Sequence, residues 1–377
     1  MSKLETILKE INKKYGQGTI RTANEFVKLI RVPTSIFSLD AEIGGGIPKG
    51  RICIFTGNAG AGKTTVAKKA IVQFQNTCKS CLSLLDRCSC GEKLPHKAVL
   101  VDTEGSFDPL WFTALGGNVD ELLLIQPEFA EEAVDIVEAL IRTGEIDLIV
   151  VDSVAMMSPS LEIDKSSEDL LVGTHARLIN RMMRSIQAGM NSLGMTNECK
   201  PAIILINQIR TNVGVMYGVT DTYPGGRGQL FASSITVKFT VRPSELVPEG
   251  GKKKDADTAG VQIRFKVEKN KTFVPFRSGI FTLYVANSSI ASKGSFNIEE
   301  QIADYGVRYG LIEKSGAWFT FKVSIEGQSI GQLQGKEAVV NALIENPDLK
   351  WALSEHIMAE VLKESTARDE GSYEGEI

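Results

Sequence analysis

Short apolar runs recur along the chain at Ile52-Cys53-Ile54-Phe55, Ala98 to Val101, Leu148 to Val151 and Ala202 to Ile206, each rich in β-branched residues and each ending in polar ones. Such runs show no polar alternation, which is the signature of parallel strands covered on both faces. Between them, Val66 to Gln75, Glu131 to Arg142 and His175 to Met190 carry helix-compatible patterns. The resulting βαβ rhythm predicts an α/β fold, a mostly parallel twisted sheet flanked by helices. Leu4, Ile7, Leu8 and Ile11 repeat at helical spacing and predict an N-terminal helix with one apolar stripe, which either folds onto its own core or docks on a neighbouring subunit. From Asn297 the pattern changes to short mixed elements, with helices expected at Gly335 to Ile344 and Trp351 to Lys363. These divide the chain into an N-terminal helix and strand (1–32), a core (33–289) with a cysteine-rich insertion (76–97), a small α+β C-terminal domain (290–364) and an acidic, disordered tail (365–377).

The first strand leads into Gly57-Asn58-Ala59-Gly60-Ala61-Gly62-Lys63-Thr64-Thr65, which fits G-x-x-x-x-G-K-[ST] at every fixed position. Glycines let the backbone curl so that successive N–H groups face phosphate oxygens, Lys63 adds a point charge and Thr64 offers a hydroxyl to Mg²⁺. A helix beginning near Gly62 adds its positive end. The alternative is a glycine-rich turn with an incidental Lys-Thr, against which stand the strand before and the helix after. The other strands end in the groups a nucleoside triphosphatase needs: Asp152 for the metal, Glu104 for water, and Gln208 as an amide that touches the γ-phosphate. Taken singly, each is more often a solvated polar group.

Composition adds limits. The 377 residues are 43% hydrophobic and 23% charged, as in an ordinary globular protein, and the net charge of −4 excludes a global basic field. Nucleic-acid contact therefore has to come from local loops. No apolar run approaches the roughly 18 residues that span a bilayer, so no membrane partner is expected and a cytoplasmic location is.

Further blocks carry a family likeness: Glu104-Gly105-Ser106-Phe107-Asp108-Pro109, Val150 to Ala155, Ile206 to Arg210, Tyr15 to Ile20, Gly214 to Gly218, Lys269-Asn270-Lys271 with Pro275-Phe276, and Leu311 to Trp318. Taken in chain order they resemble the signatures of the bacterial RecA recombinase family over nearly the whole chain, apart from the cysteine insertion and the tail. The resemblance implies a RecA-type ATPase core that filaments on single-stranded DNA, pairs it with homologous double-stranded DNA, and holds ATP and Mg²⁺ between neighbouring subunits. It implies that Lys63, Thr64 and Thr65 hold phosphates and metal, that Glu104 is the catalytic base, that Asp152 supports the metal and that Gln208 couples the γ-phosphate to a DNA loop. Asp108, Trp111 and Tyr284 would flank the adenine, with Trp111 in place of the usual tyrosine. Lys269 and Lys271 would reach into the next subunit's ATP; outside the family they read as a sheet edge protected by charge. Two glycine-bearing loops, Pro159 to Gly173 and Arg210 to Gly228, would line the filament axis. Val172, Gly173, Val213, Gly225 and Gly226 belong to them, with Arg177, Arg184, Arg210 and Arg227 adding charge that reads no base. Asn212, Arg227 and Leu230 depart from the residues common in the family at those positions.

Where the family runs straight on, this chain inserts Cys78-x-x-Cys81 and Cys88-x-Cys90, a spacing suited to tetrahedral Zn²⁺, with His96 as a substitute ligand; free surface thiols are the alternative. By position, the insertion would pin an excursion on the filament surface, or contact DNA or a helicase, loader or single-strand-binding protein. Competing functional readings are a ring helicase or RadA/Sms-like ATPase, which would lack the Lys269-Asn270-Lys271 and Leu311 to Trp318 blocks, and a non-catalytic scaffold, which would lack Glu104 or Lys63.

Overall fold

A computed structural model describes residues 2–15, 29–160, 173–194, 197–211, 221–226, 228–242, 246–248, 258–325, 328–329 and 331–371. The four apolar runs form strands β1 (Ile52–Gly57), β2 (Ala98–Asp102), β4 (Leu148–Asp152) and β5 (Ala202–Gln208), joined by β3 (Leu122–Ile125) and β6 (Ile235–Thr240). With β7 (Leu246–Pro248), β8 (Thr258–Asn270) and β9 (Ser278–Tyr284) they make one nine-stranded sheet in the order β7-β8-β6-β1-β5-β4-β2-β3, with β9 paired to β8. The segment from β6 to β3 is parallel throughout. Parallel pairing puts the carboxyl ends of these strands on one rim, so β1, β2, β4 and β5 present Gly57, Asp102, Asp152 and Gln208 together.

Alternate residues of each central strand enter different cores, which is why the runs are apolar without a break. Cys53, Phe55, Leu100 and Val150 pack on one face with α2 (Phe37–Ile43) and α3 (Lys63–Gln75). Ile52, Ile54, Val99, Val101, Ile149 and Val151 pack on the other with α5 (Ala130–Thr143) and α6 (Thr174–Ser192). In between, α4 (Pro109–Ala114) starts with Asp108 as its cap, and a five-residue α7 (Gly228–Ala232) precedes β6. The N-terminal helix α1 (Lys3–Tyr15) forms as expected and leaves Leu4 and Ile7 exposed.

A third core holds the C-terminal elements: α8 (Ile298–Arg308), strands β10 (Ile312–Ser315), β11 (Trp318–Phe321) and β12 (Leu333–Gln334), then α9 (Lys336–Glu345) and α10 (Pro347–Gly371). Leu349, Leu353, Ile357 and Val361 recur every four residues as the buried stripe of α10. This helix continues through Gly371, so its backbone covers residues 365–371, where the charged composition predicts disorder. Alanine, glutamate and arginine in that stretch are good helix formers and extend a helix already nucleated by packing. Glu42 of α2 ties this unit to the core, accepting from Arg277, from Arg308 at 2.6 Å and from the Tyr305 hydroxyl at 2.5 Å.

The strand that carries the lysines is flanked on both sides as far as Lys266, with Phe265 between Phe239 and Gly279; beyond it Lys269 is paired with Thr236 alone.

Candidate nucleotide site and DNA-facing loops

The phosphate loop turns between β1 and α3. Gly57 (φ 149°) and Gly62 (φ 84°) adopt conformations that disfavour side chains. A Cβ at Gly57 would lie 2.3 Å from the Phe239 carbonyl oxygen, and one at Gly62 would lie 2.5 Å from Ile263 Cδ1. Lys63 begins α3 and donates to the carbonyls of Gly57 (3.0 Å) and Asn58 (2.7 Å). Burial lowers its pKa, while the Asp152 and Glu104 charges oppose that shift.

Around the loop lies a cavity of about 260 Å³. Gly60, Ala61, Gly62, Lys63, Thr64 and Thr65 form its polar wall; Trp111, Val261, Ile263, Leu283 and Val285 form the apolar one. Trp111 is thus on the wall of the cavity that holds the phosphate loop. Asp108 Oδ1 is engaged as the α4 cap, accepting from Leu110 N (2.9 Å) and Trp111 N (3.1 Å), so it orients the indole. Tyr284 is not on the cavity wall. Strand parity points it away from Leu283 and Val285, which are on it, and towards the charges of Glu299 and Glu300. β8 alternates cleanly from Val261 to Val267, but along β9 the run Ile280-Phe281-Thr282-Leu283-Tyr284 alternates too weakly to reveal which face is buried.

The strand-end groups converge. Glu104 Oε1 accepts from Ser153 Oγ at 2.6 Å and from Gln208 Nε2 at 3.4 Å. One Asp152 oxygen engages Thr64, while Oδ1 is buried with no hydrogen-bond partner. A buried carboxylate oxygen without a donor, beside a phosphate-loop hydroxyl, suits Mg²⁺ or a water bound to it. Burial, reinforced by the charges of Glu104 and Asp102, pushes the Asp152 carboxyl up to about 6 against the Thr64 hydrogen bond.

Three neighbours of the expected residues do structural work there. Asp102 accepts from the backbone N–H of Glu104 (3.2 Å), Ser106 (3.3 Å) and Phe107 (3.0 Å), so it shapes the turn that carries Glu104. Its place at the end of β2 was the available signal. Asn207 donates to the Pro224 carbonyl and to Gln229 Oε1, each at 3.0 Å, and so ties the residue before Gln208 to the returning end of the second loop. Lys68, one turn beyond Lys63, is buried with its ammonium 5.3 Å from the Phe107 ring centre. Burial lowers its pKa, opposed by the charges of Asp152, Asp102, Asp108 and Glu104.

Lys269 and Lys271 lie far from this cavity. Lys269 is opposite Thr236, which is opposite Ile54, whereas Gly57 is opposite Phe239. Lys269 therefore sits about 10 Å along β1 from Gly57 at roughly 3.3 Å per residue, and Lys271 lies farther towards the other end of the sheet. Both donate to the C-terminal carbonyls of α7: Lys269 to Leu230 and, at 3.2 Å, to Phe231, and Lys271 to Phe231 at 3.2 Å.

Val172, Val213 and Arg227 lie outside the described residues, as do Gly16 to Ile20 and Gly214 to Gly218. Arg210 is described by its backbone, at the start of a short strand that pairs with Asp221–Thr222. The roots of the two loops do meet. Gly173 starts α6, and a Cβ at Gly225 or Gly226 would touch Ile179 or Ala176 of the same helix. Arg177 and Arg184 are both exposed and two turns apart, on one face of α6.

In the insertion, Cys78 and Cys90 Sγ are 3.6 Å apart, Cys81 and Cys88 3.5 Å, and Cys88 and Cys90 3.2 Å, with all four sulfurs within 4.8 Å of one another. His96 is not among them. It is buried, its Nδ1 3.4 Å from Asp147 and its ring 5.3 Å from that of Phe74.

Comparison with known proteins decides the family. The profile of the RecA N-terminal domain matches residues 2–290 and that of the RecA C-terminal domain matches residues 300–362. The chain belongs to the RecA family. Protein RecA of Bacillus subtilis (strain 168) is 36% identical over 357 residues, covering 94% of this chain and 90% of the relative. Bacillus licheniformis RecA matches to the same extent, and that of Oceanobacillus iheyensis is 34% identical over 378 residues, covering 98% and 96%. Both halves of the RecA pattern are present, including the C-terminal block that a ring helicase or RadA/Sms-like ATPase would lack. Among the described residues no helix is long and apolar enough to cross a membrane.

Proposed function

We propose that this RecA-family recombinase, an ATP-dependent enzyme of recombination and repair, works through a nucleotide site completed by the next protomer. The observation that carries this reading is the placement of Lys269 and Lys271 at the opposite end of the sheet from the phosphate loop. They are too far from their own cavity to serve it. Burial and the Lys271 charge both lower the Lys269 pKa, as expected for two cations that converge where an anion would be welcome.

Within one protomer, the loop N–H groups, Lys63, Thr64 and Thr65 would bind the triphosphate, and Thr64 with Asp152 would hold Mg²⁺, which neutralises phosphate charge when bound. Glu104, oriented by Ser153, would take the proton of the attacking water. Gln208, hydrogen-bonded to Glu104, would sense the γ-phosphate and pass its presence through Asn207 to the second loop. Gly173, Gly225, Gly226, Arg177 and Arg184 would bind the DNA backbone without reading bases. Exposed Leu4 and Ile7 on α1 supply an apolar stripe for the neighbouring protomer. The four thiolates would hold a structural Zn²⁺.

Mixing tests the shared site. Glu104→Gln and the Lys269→Ala, Lys271→Ala double variant should each be nearly inactive alone. Together they should regain a substantial part of wild-type ATP hydrolysis, because a double-variant protomer with an intact cavity can receive lysines from a Glu104→Gln neighbour. No recovery at any ratio would refute sharing.

A further inference from the structure

The insertion between α3 and β2 has no core of its own. From Lys79 to Pro95 only Cys88 is buried, while Leu82 and Leu94 are exposed. A segment this short and this open holds a fixed shape only with a covalent or metal staple. Its cysteines are free, and their sulfur separations of 3.2 to 3.6 Å approach the roughly 3.8 Å edge of a tetrahedron with Zn–S bonds of about 2.3 Å.

Two residues through which the insertion grips the rest of the molecule each adjoin one of these cysteines. Lys79, next to Cys78, reaches inward to Asp147 at 3.1 Å, at the foot of β4. Arg87, next to Cys88, reaches outward to the C-terminal domain, lying 5.1 Å from the Trp351 ring centre and 3.4 Å from Asp348. Both targets of Arg87 are in the first turns of α10. The same helix is held again at Glu364, which accepts from Arg277 at 2.6 Å. Trp351 and Glu364 are thirteen residues apart, about 20 Å along a helix. These two attachments add to the buried stripe of α10 and to the Glu42 contacts of α8, and the Arg87 one braces the end of α10 opposite Glu364.

We propose that the four-cysteine insertion is a zinc-built strut that braces the start of α10 against the ATPase core. This rests on reading the cysteines as a zinc site. With the metal bound, the backbones of residues 79 and 87 are locked in one small cage, so the inward and outward grips act as a single rigid bracket. Without it, Arg87 has no fixed base and the Trp351 contact is lost, while the Arg277–Glu364 attachment remains.

Zinc content and Trp351 environment separate the two layers. Purified wild type should contain one zinc per chain by elemental analysis, and the Cys78→Ser, Cys81→Ser variant none; absence of zinc from wild type overturns the metal reading. For the strut, Trp111→Phe and Trp318→Phe leave Trp351 as the sole indole in a nucleotide-free chain. Removing zinc with a chelator should red-shift its emission and increase acrylamide quenching severalfold, to the level of an Arg87→Ala variant that has kept its zinc. Re-adding zinc should reverse this only where Arg87 is present. Hydrogen exchange should quicken at the start of α10, around Lys350 to Leu353, more than around Glu364. Stoichiometric zinc whose removal leaves Trp351 and α10 exchange unchanged overturns the strut and leaves the metal site standing.

Discussion

Gln208 Nε2 donates to Glu104 Oε1 across 3.4 Å, joining the group that would sense the γ-phosphate to the group that would activate water. Both sit at strand ends in neighbouring parts of one parallel rim, and Ser153 holds the same carboxylate oxygen at 2.6 Å.

Glu104→Asp withdraws the carboxylate by one methylene while keeping its charge. ATP turnover should fall on the order of 10²-fold, within the 10² to 10⁴ span of general-base catalysis, with nucleotide binding retained. Gln208→Ala should leave a basal rate that single-stranded DNA no longer stimulates. Steady-state hydrolysis with and without DNA measures both, and full stimulation in Gln208→Ala would remove it from the coupling route.

Asp152 gives a pH signature. Its carboxyl, raised to about 6 mainly by burial, binds a proton more tightly in the folded chain than in the unfolded one, so nucleotide-free stability falls as pH rises from about 4 through 6. The ionised form costs roughly 3 kcal/mol at neutral pH, at about 1.36 kcal/mol per pH unit. Asp152→Asn should thus raise the melting temperature at pH 7 to 8 while abolishing the Mg²⁺ dependence of ADP binding. An unchanged melting temperature across pH 5 to 8 would show that the carboxylate is not strained by burial.

Asp147 runs the other way. Burial alone would raise its carboxyl, but the close His96 ring, the Lys49 hydrogen bond and the Lys49 charge hold it well below the ordinary carboxylate range. Its contribution is present above the unfolded value of about 4 and is lost as pH falls below it. Lys49 is 2% exposed and 2.6 Å away, so Asp147→Asn should cost about 3–5 kcal/mol by leaving a buried ammonium uncompensated. Urea denaturation at pH 7 measures this; a loss under 1 kcal/mol would contradict it.

The apolar wall of the nucleotide cavity separates residues that the sequence does not. Trp111→Ala should weaken ADP binding roughly tenfold, the value of about 1.4 kcal/mol of stacking and burial, and Trp111→Tyr should restore most of it. Leu283→Ala should weaken it more than Tyr284→Ala. The reverse order in calorimetric titration would mean that Tyr284 turns into the cavity when nucleotide binds.

The central strands, their flanking helices and the strand-end acids were legible because burial on both faces leaves an unbroken apolar run that only functional groups interrupt. The phosphate loop was legible because close backbone approach demands glycine at Gly57 and Gly62. The antiparallel side was harder to read. Whether Phe265 to Lys271 is central or at an edge depends on β9, which lies beyond it in sequence, and whether Leu283 or Tyr284 lines the cavity depends on a parity that mixed side chains blur. His96 has the chemistry of a ligand, yet it serves Asp147, fifty-one residues away, and spacing carries no trace of that pairing. Arg87 and Trp351 are likewise brought together only by the packing of the C-terminal unit.

Each protomer carries its phosphate loop at one end of the sheet and its lysine pair at the other, so stacking head to tail produces a chain with unlike tips. If the lysines serve the neighbour's nucleotide as proposed, the nucleotide at one tip would lack its borrowed cations and outlast those inside, while at the other tip the lysines would have no nucleotide to meet. Interior subunits, whose fuel is spent first, are held in place by neighbours, so loss of material depends on which tip last exhausts its charge. On that reading growth and shedding would belong to different ends, and the direction of travel along a strand would follow from the geometry of a single sheet.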